Sequence, residues 1–195
     1  MFKFKEIGDN VEIFQPISII DESKLTIKNN VRLSEFTLIS GGEGVYIGNY
    51  VHIANHVSIA GGGILVVEDF VGVCAGVKII TGSDDVTGNG IPSPMVSDEF
   101  RSYFRSHVVL KKHSFIGTNA IIHPGVTIGE GAVVASGSLV TKDLEPWGIY
   151  MGSPARKIRD RSMDTIKRME KEVYKKDNIT PSNFESILVK TLKNI

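Results

Sequence analysis

Two histidines and an acidic pair carry the side chains best suited to moving protons. His52 and His56 are separated by three residues, and Asp84 and Asp85 stand together further along the chain. Histidine titrates near neutral pH, so an imidazole can act as a general base. An aspartate with an ordinary pKa of about 3.9 is a weak base at neutral pH, but it can orient an imidazole. The other histidines, interpreted as mainly structural, are His107, His113 and His123.

The composition is typical of a single globular domain. The 195 residues include 22 Lys and Arg against 22 Asp and Glu, and this balance argues against a globally basic nucleic-acid-binding protein. Cys74 has no partner for an internal disulfide, and no signal peptide or bilayer-length apolar stretch is recognisable. We therefore expect a cytoplasmic protein with no membrane span and no nucleic-acid partner.

Aliphatic residues recur about every six positions through most of the chain. Up to residue 79 they form sets of three that begin 20 residues apart, and from residue 110 the spacing is an even six. Such a regular period is the mark of a repeat architecture. The positions, all Ile, Leu or Val, are Ile7, Ile13, Ile19, Ile27, Leu33, Ile39, Ile47, Ile53, Ile59, Val67, Val73, Ile79, Leu110, Ile116, Ile122, Ile128, Val134 and Val140.

Corner-forming residues separate these aliphatic positions. Asp9-Asn10, Asn29-Asn30, Gly48-Asn49 and Gly129-Glu130-Gly131 are of types that tolerate bent or left-handed backbone. Three short strands per turn, with a corner after each, would form a triangular prism whose coils stack about 4.8 Å apart. The pattern therefore predicts an all-β repeat, a parallel β-helix of about six coils. A β-sandwich, with strands spaced by about 8–12 residues, is the alternative.

One interruption and one tail depart from the repeat. Residues 80–109 are predicted to protrude as a loop from the fourth coil, with a disordered insertion as the alternative. Helical spacing after residue 160 predicts two short helices that cover one end or flank of the prism and protect an open sheet edge. The start signals are Asp160 or Ser162 for the first helix and Thr180-Pro181 for the second. The predicted organisation is a β-helix domain at 1–159 and a helical extension at 160–195. The buried stripe of the second helix is predicted at Phe184, Ile187, Leu188 and Leu192.

The repeat motifs resemble a known family. IGDNVE, IGTNAI, IHPGVT and IGEGAV resemble the hexapeptide repeats of left-handed parallel β-helix acyltransferases. Residues 116–159, with the ending VTKD…GSPARKIR, are similar to the C-terminal half of galactoside, maltose and surface-polysaccharide acetyltransferases. The resemblance implies a left-handed β-helix in a homotrimer that transfers acetyl from acetyl-coenzyme A to a sugar or nucleotide-sugar hydroxyl, without a metal. Its setting would be surface-polysaccharide or nucleotide-sugar synthesis. Transfer to the amine of an amino sugar is the alternative.

The same resemblance directs attention to particular side chains. In the related sugar acetyltransferases the base is a histidine just after the third strand of the coil before the loop, and here the matching position holds Asp84. His56 lies close to Ala54, which matches an active-site asparagine, at a corner where its ring should point outward. We hypothesise that His56 of one subunit and Asp84 of another form a dyad across the trimer interface. His52 and Asp85 are the other catalytic candidates.

Coenzyme contacts are implied for the last coils. Backbone N–H groups could bond the extended pantetheine, and basic side chains could meet the phosphates through charge-assisted hydrogen bonds. The positions matching the family's coenzyme contacts are Thr118, Ser136, Thr141, Lys142, Arg156 and Arg159.

Two other functional classes remain open from the sequence. Some left-handed β-helix trimers are zinc carbonic anhydrases, and His52 and His56 with His107 or His113 could be compared with their ligands. Those enzymes place four residues between the paired histidines, whereas this chain places three. A non-catalytic scaffold is the second alternative. Metal analysis would test the first alternative, and a coenzyme A binding assay would test the second.

Overall fold

Short strands follow one another around a triangular prism in this computed structural model, which describes residues 2–193, with side chains to residue 189. The first two coils contain β1 (Glu6–Ile7), β2 (Val11–Ile13), β3 (Ser18–Ile20), the 3₁₀ turn Glu22–Lys24, β4 (Leu25–Ile27), β5 (Val31–Leu33) and β6 (Leu38–Ser40). The third and fourth contain β7 (Gly44–Ile47), β8 (His52–Ile53), β9 (Ser58–Ala60), β10 (Ile64–Val67), β11 (Gly72–Val73) and β12 (Lys78–Ile80).

The chain then leaves the prism and returns to complete it. The excursion contains β13 (Gly82–Asp84), the 3₁₀ turn Asp98–Phe100 and β14 (Tyr103–Arg105). The remaining coils contain β15 (His107–Leu110), β16 (Phe115–Ile116), β17 (Ile121–Ile122), β18 (Val126–Ile128), β19 (Val133–Val134), β20 (Leu139–Val140), β21 (Gly148–Gly152) and β22 (Ala155–Asp160).

Three parallel sheets form the walls of the prism. Sheet A contains β1, β4, β7, β10, β15 and β18, and sheet C contains β3, β6, β9, β12, β17 and β20. Sheet B contains β2, β5, β8, β11, β16, β19 and β21, with β22 added antiparallel at its end. The predicted β-helix of about six coils is therefore confirmed, and β21 begins a seventh.

The aliphatic repeat fills the interior. From the second coil onward its members are essentially inaccessible to solvent, as at Leu33, Ile53 and Ile116, because each side chain is covered by the coils above and below. Ile7, in the first coil, is 51% exposed because no coil lies beneath it. The sequence period thus predicted the core, and only the open end departs from the pattern.

Two corners of the prism contain left-handed residues in register. The corner between sheets A and B, called here the AB corner, has positive φ at Asn10, Asn30, Tyr50, Phe70, His113, Gly131 and Trp147. The corner between sheets B and C, called the BC corner, has positive φ at Phe36, His56, Gly76, Asn119 and Gly137. Backbone hydrogen bonds join successive members to the coil below, as from His56 N–H to the Glu35 carbonyl. Large side chains in this conformation are uncommon, so these corners depend on the stacked coils around them.

The predicted protruding loop is a hairpin at the third corner. β13 and β14 pair antiparallel, with Asp84 opposite Tyr103. Phe100, Tyr103 and Phe104 are exposed on this hairpin. The excursion is therefore an ordered projection from the fourth coil.

Two helices cover one flank of the prism. Helix α1 (Asp164–Asp177) lies along the AB corner, and helix α2 (Glu185–Lys193) follows Phe184, which packs on Val66 and Val109 of sheet A. The two predicted helices are present, but α1 starts at Asp164 and not at Asp160 or Ser162, and α2 starts at Glu185 and not at Pro181. The helices cover a flank, whereas β22 covers the sheet edge at the last coil. The predicted contribution of Leu192 lies outside the described side chains.

Candidate functional site

The AB corner is closed by helix α1. Phe70 stacks between Tyr50 and the His113 ring, with centroid distances of 4.7 and 5.0 Å, and Tyr174 of α1 packs edge-on against both Tyr50 and Phe70. His113 Nε2 lies 3.1 Å from Glu170 Oε2 of α1. Burial lowers the pKa of His113, and the Glu170 carboxylate opposes that effect. These contacts give His113 the structural position that its sequence context predicted.

A buried carboxylate fastens the tail to this corner. Asp69 is fully buried and accepts hydrogen bonds from the backbone and side-chain N–H groups of Asn49 at 2.7 and 3.2 Å. From the tail it accepts bonds from the Tyr174 hydroxyl and from the backbone N–H and hydroxyl of Ser182. Burial and the Asp69 carboxylate raise the pKa of Tyr174. The AB corner is therefore a packed structural surface.

The BC corner, in contrast, is open. His56 is exposed and its ring stacks on Phe36, with centroids 5.1 Å apart and planes 6° from parallel. Thr118 and Ser136 lie higher on the same corner, where the N–H of Gly137 bonds the Thr118 carbonyl. His56, Thr118 and Ser136 are thus aligned on one solvent-facing edge of the prism.

His52 lies on the neighbouring face. It projects outward from β8 in sheet B, and its Nε2 lies 3.3 Å from Ser34 Oγ. Burial and the positive charge of Arg32 lower the pKa of His52. This arrangement favours the neutral imidazole in the free protein.

The two acidic candidates are both engaged within the hairpin. Asp84 Oδ1 accepts a 2.8 Å hydrogen bond from Arg101 Nη2, and this bond raises the pKa of Arg101. Asp85 accepts hydrogen bonds from Thr87 and from the backbone N–H of Asn89, and those bonds lower the pKa of Asp85 to about 2. Asp85 therefore orders a turn as an ionised carboxylate. The sequence reasoning missed Arg101, because this residue lies 17 positions further along the chain and meets Asp84 only when the hairpin folds back.

Three predicted coenzyme residues meet at the last coil. Thr141, Lys142 and Arg156 line one cavity of about 170 Å³, together with Tyr150 and Lys157. Arg159 pairs with Ile149 on the neighbouring β22–β21 ladder and is exposed. Basic groups around a small cavity can hold phosphate oxygens by charge-assisted hydrogen bonds. Thr118 and Ser136 lie apart from this cavity, along the BC corner.

The catalytic candidates are not gathered within one chain. His56 lies on the BC corner, His52 on sheet B, and Asp84 on the hairpin after sheet C. Among residues 2–193, no hydrogen bond or ion pair joins His56 to Asp84. A dyad of these two residues therefore requires a second copy of the chain, as the sequence hypothesis states.

Within the described part of the chain, no group of three or more His, Cys, Asp or Glu side chains could hold a metal ion. Over the same residues, neither helix is long and apolar enough to cross a membrane.

Comparison with known proteins gives the family. The model of the bacterial transferase hexapeptide (six repeats) family matches residues 107–142. The dTDP-4-amino-4,6-dideoxy-D-glucose acyltransferase of Escherichia coli is 34% identical over 160 residues, which are 82% of this chain and 83% of that protein. This chain belongs to the hexapeptide-repeat acyltransferases. The predicted family, the left-handed β-helix fold and the acyltransferase activity are thereby confirmed.

Two further relatives extend this comparison. The galactoside O-acetyltransferase of Escherichia coli strain K12 is 28% identical over 167 residues, 85% of this chain and 76% of that protein. The crystal structure of AntD, an N-acyltransferase from Bacillus cereus, in complex with dTDP and 3-hydroxybutyryl-CoA matches with a TM-score of 0.83. It is 36% identical and covers 90% of this chain and 93% of that chain. Sugar and amino-sugar acyltransferases therefore match nearly the whole chain, beyond the repeat alone.

Proposed function

We propose that this enzyme transfers an acyl group from a coenzyme A thioester to the amino group of a nucleotide-linked amino sugar. The observation that carries the proposal is the similarity over 82% of the chain to an acyltransferase named for a dTDP-linked 4-amino sugar. A serine-to-cysteine variant of AntD, 37% identical, was solved with dTDP-4-amino-4,6-dideoxyglucose and coenzyme A together. Both substrate classes thus occur in a close structural relative.

The side chain at the expected base position supports an amine acceptor. Asp84 replaces the expected histidine and is already engaged by Arg101 at 2.8 Å. A hydroxyl is a poor nucleophile until a base removes its proton, whereas a neutral amine attacks a thioester with its own lone pair. An amine therefore places a smaller demand on a general base, although His56 of a neighbouring subunit could still accept the proton that the amine loses.

Coenzyme A would bind along the upper half of the prism. The cavity of Thr141, Lys142 and Arg156 offers cationic groups to its phosphates. Ser136 and Thr118 would then line the course of the pantetheine arm toward the middle coils. A homotrimer completes this site, because the catalytic candidates are spread over separate parts of one chain and ligands prefer clefts between packed units. Light scattering that returned the mass of one chain would contradict this arrangement.

The deciding experiment offers the enzyme matched acceptors. With acetyl-coenzyme A and 3-hydroxybutyryl-coenzyme A as donors, the acceptors are a dTDP-linked 4-amino sugar and its 4-hydroxyl counterpart. Mass spectrometry should detect an amide on the first acceptor, resistant to mild alkaline hydroxylamine, and little ester on the second. Preferential formation of an alkali-labile ester would instead establish an O-acyltransferase, the activity expected from the sequence and named for the galactoside relative.

A further inference from the structure

A groove that contains one arginine lies on the outer face of sheet B. It is near the opposite end of the prism from the cavity of Thr141, Lys142 and Arg156, called here the Lys142 cavity. The groove has a volume of about 350 Å³, and it crosses the first three coils. None of the coenzyme residues predicted from the sequence lies in it. Its polar and charged lining consists of Asn10, Glu12, Asn30, Arg32, Tyr50 and His52.

Arg32 is held in place while its outer edge stays available. Its Nε donates a 2.6 Å hydrogen bond to Glu12 Oε2, and its guanidinium lies 5.6 Å from the centre of the Phe14 ring. Among residues 2–193, no hydrogen bond engages Nη1 or Nη2 of Arg32, and its side chain is 54% exposed. The planar guanidinium can therefore present two parallel N–H groups to a pair of phosphate oxygens.

His52 is the neighbour of Arg32 on the ladder. The two residues pair directly between β5 and β8, so their side chains leave the same face of sheet B side by side. Ser34 Oγ lies 3.3 Å from His52 Nε2 and fixes the ring. Two basic side chains therefore adjoin on this face, and a bound anion between them would favour the protonated imidazole as well as the guanidinium.

We propose that this groove binds the diphosphate of the nucleotide-linked acceptor, with Arg32 as the main contact and His52 as the second. This inference rests on the proposed function. The groove is centred on the second coil and the Lys142 cavity lies at the end of the sixth, so the two are about 19 Å apart along the axis at the usual coil spacing.

The separation assigns the sheet B groove and the Lys142 cavity to different substrates. Coenzyme A carries its phosphates at one end of the pantetheine arm and its thioester at the other. With the phosphates in the Lys142 cavity, the thioester is directed toward the middle coils, where the acceptor amine must meet it. The acceptor's own diphosphate then extends beyond the reacting atoms, toward the lower coils and Arg32.

The test is a calorimetric titration of dTDP and, separately, of coenzyme A into the wild-type protein and the variants Arg32→Gln, Arg32→Lys and His52→Gln. Loss of a charge-assisted contact predicts that Arg32→Gln weakens dTDP binding roughly 10- to 100-fold, with coenzyme A affinity unchanged. Arg32→Lys should fall between, because an ammonium cannot form the paired contact. Arg168→Gln, exposed on α1, is the matched control and should bind both ligands as the wild type does.

Two probes identify the recognised group. Inorganic pyrophosphate should displace dTDP from the wild type but have little effect on the residual dTDP binding of Arg32→Gln. Thymidine should be a weak competitor of dTDP in both proteins. Wild-type dTDP affinity in a folded Arg32→Gln variant would overturn the groove assignment while leaving the proposed function intact. Loss of coenzyme A binding in place of dTDP binding would also overturn it. Failure of the wild type to bind dTDP or its amino sugar would contradict the proposed acceptor itself.

Discussion

The AB and BC corners share one backbone design but differ in what covers them. Both place left-handed residues one above another and bond each to the coil below. At the AB corner Tyr50, Phe70 and His113 are covered by α1, with Asp69 beneath binding the tail. At the BC corner His56 and Phe36 remain exposed. The same local conformation is therefore used once for attachment and once to present side chains to solvent.

The difference shows why a corner histidine cannot be assigned from its spacing alone. His113 and His56 have φ values of 62° and 58°, and each stacks on an aromatic ring. His113 has a carboxylate partner from α1 and little contact with solvent, whereas His56 faces outward. Covering by the tail makes His113 structural, and exposure leaves His56 available for chemistry.

The largest expected effect is at the open corner. His56→Ala should lower kcat by about 10²-fold, the lower end of the range for a general base because an amine acceptor depends less on one, with little change in the KM for acyl-coenzyme A. Asp84→Asn should give a smaller loss, and mixing the two variants should restore part of the activity if the dyad spans subunits. Steady-state kinetics checks this, and full activity in His56→Ala would reject the dyad and favour His52.

The buried carboxylate at the AB corner should dominate the stability of the tail. Asp69→Asn removes the charge and turns an amide N–H₂ group toward existing donors, so the free energy of unfolding should fall by about 2–4 kcal/mol. Urea unfolding measures this loss, and limited proteolysis should show cleavage of the tail. Asp9→Asn, at the same corner position of the exposed first coil, is the control and should change stability by under about 0.5 kcal/mol. Equal losses in both variants would contradict the attachment role.

The Lys142 cavity at the last coil tests the coenzyme assignment independently of the AB and BC corners. Lys142→Ala or Arg156→Ala should raise the KM for acyl-coenzyme A about 10- to 100-fold, because each removes a charge-assisted contact to phosphate. The acceptor KM should change much less. Arg168→Ala provides the control. Unchanged donor KM in both cavity variants would remove this cavity from the coenzyme site.

The smallest expected effect is a pH dependence that distinguishes the two corners. Burial lowers the pKa of His113 in the folded protein below its usual value of about 6.5. As the pH falls through 6.5, His113 is protonated more readily in the unfolded chain than in the folded chain. The free energy of unfolding should therefore decrease as the pH drops from 7.5 to 5.5. His113→Gln should reduce that loss, as measured by urea midpoints, and exposed His56→Gln should keep it. An identical pH dependence in the wild type and His113→Gln would contradict the assignment.

The sequence alone determined the prism and its core. An Ile, Leu or Val every six residues can be buried consistently only if the chain turns after each short strand, and Asn, Asp and Gly supply those corners. The motif GSPARKIR indicated the family, and the matching positions Thr141, Lys142 and Arg156 converge on one cavity. These features depend on the spacing and types of residues along the chain, which can be read directly from the sequence.

The tertiary structure decided which corners are covered and which charges meet. The contact of Asp69 with Ser182 joins residues 113 positions apart, and no repeat pattern records it. The pairing of Asp84 with Arg101 likewise depends on the hairpin folding back. Such contacts depend on long-range packing, because a residue's partner is fixed by where the whole chain returns and not by the residues beside it.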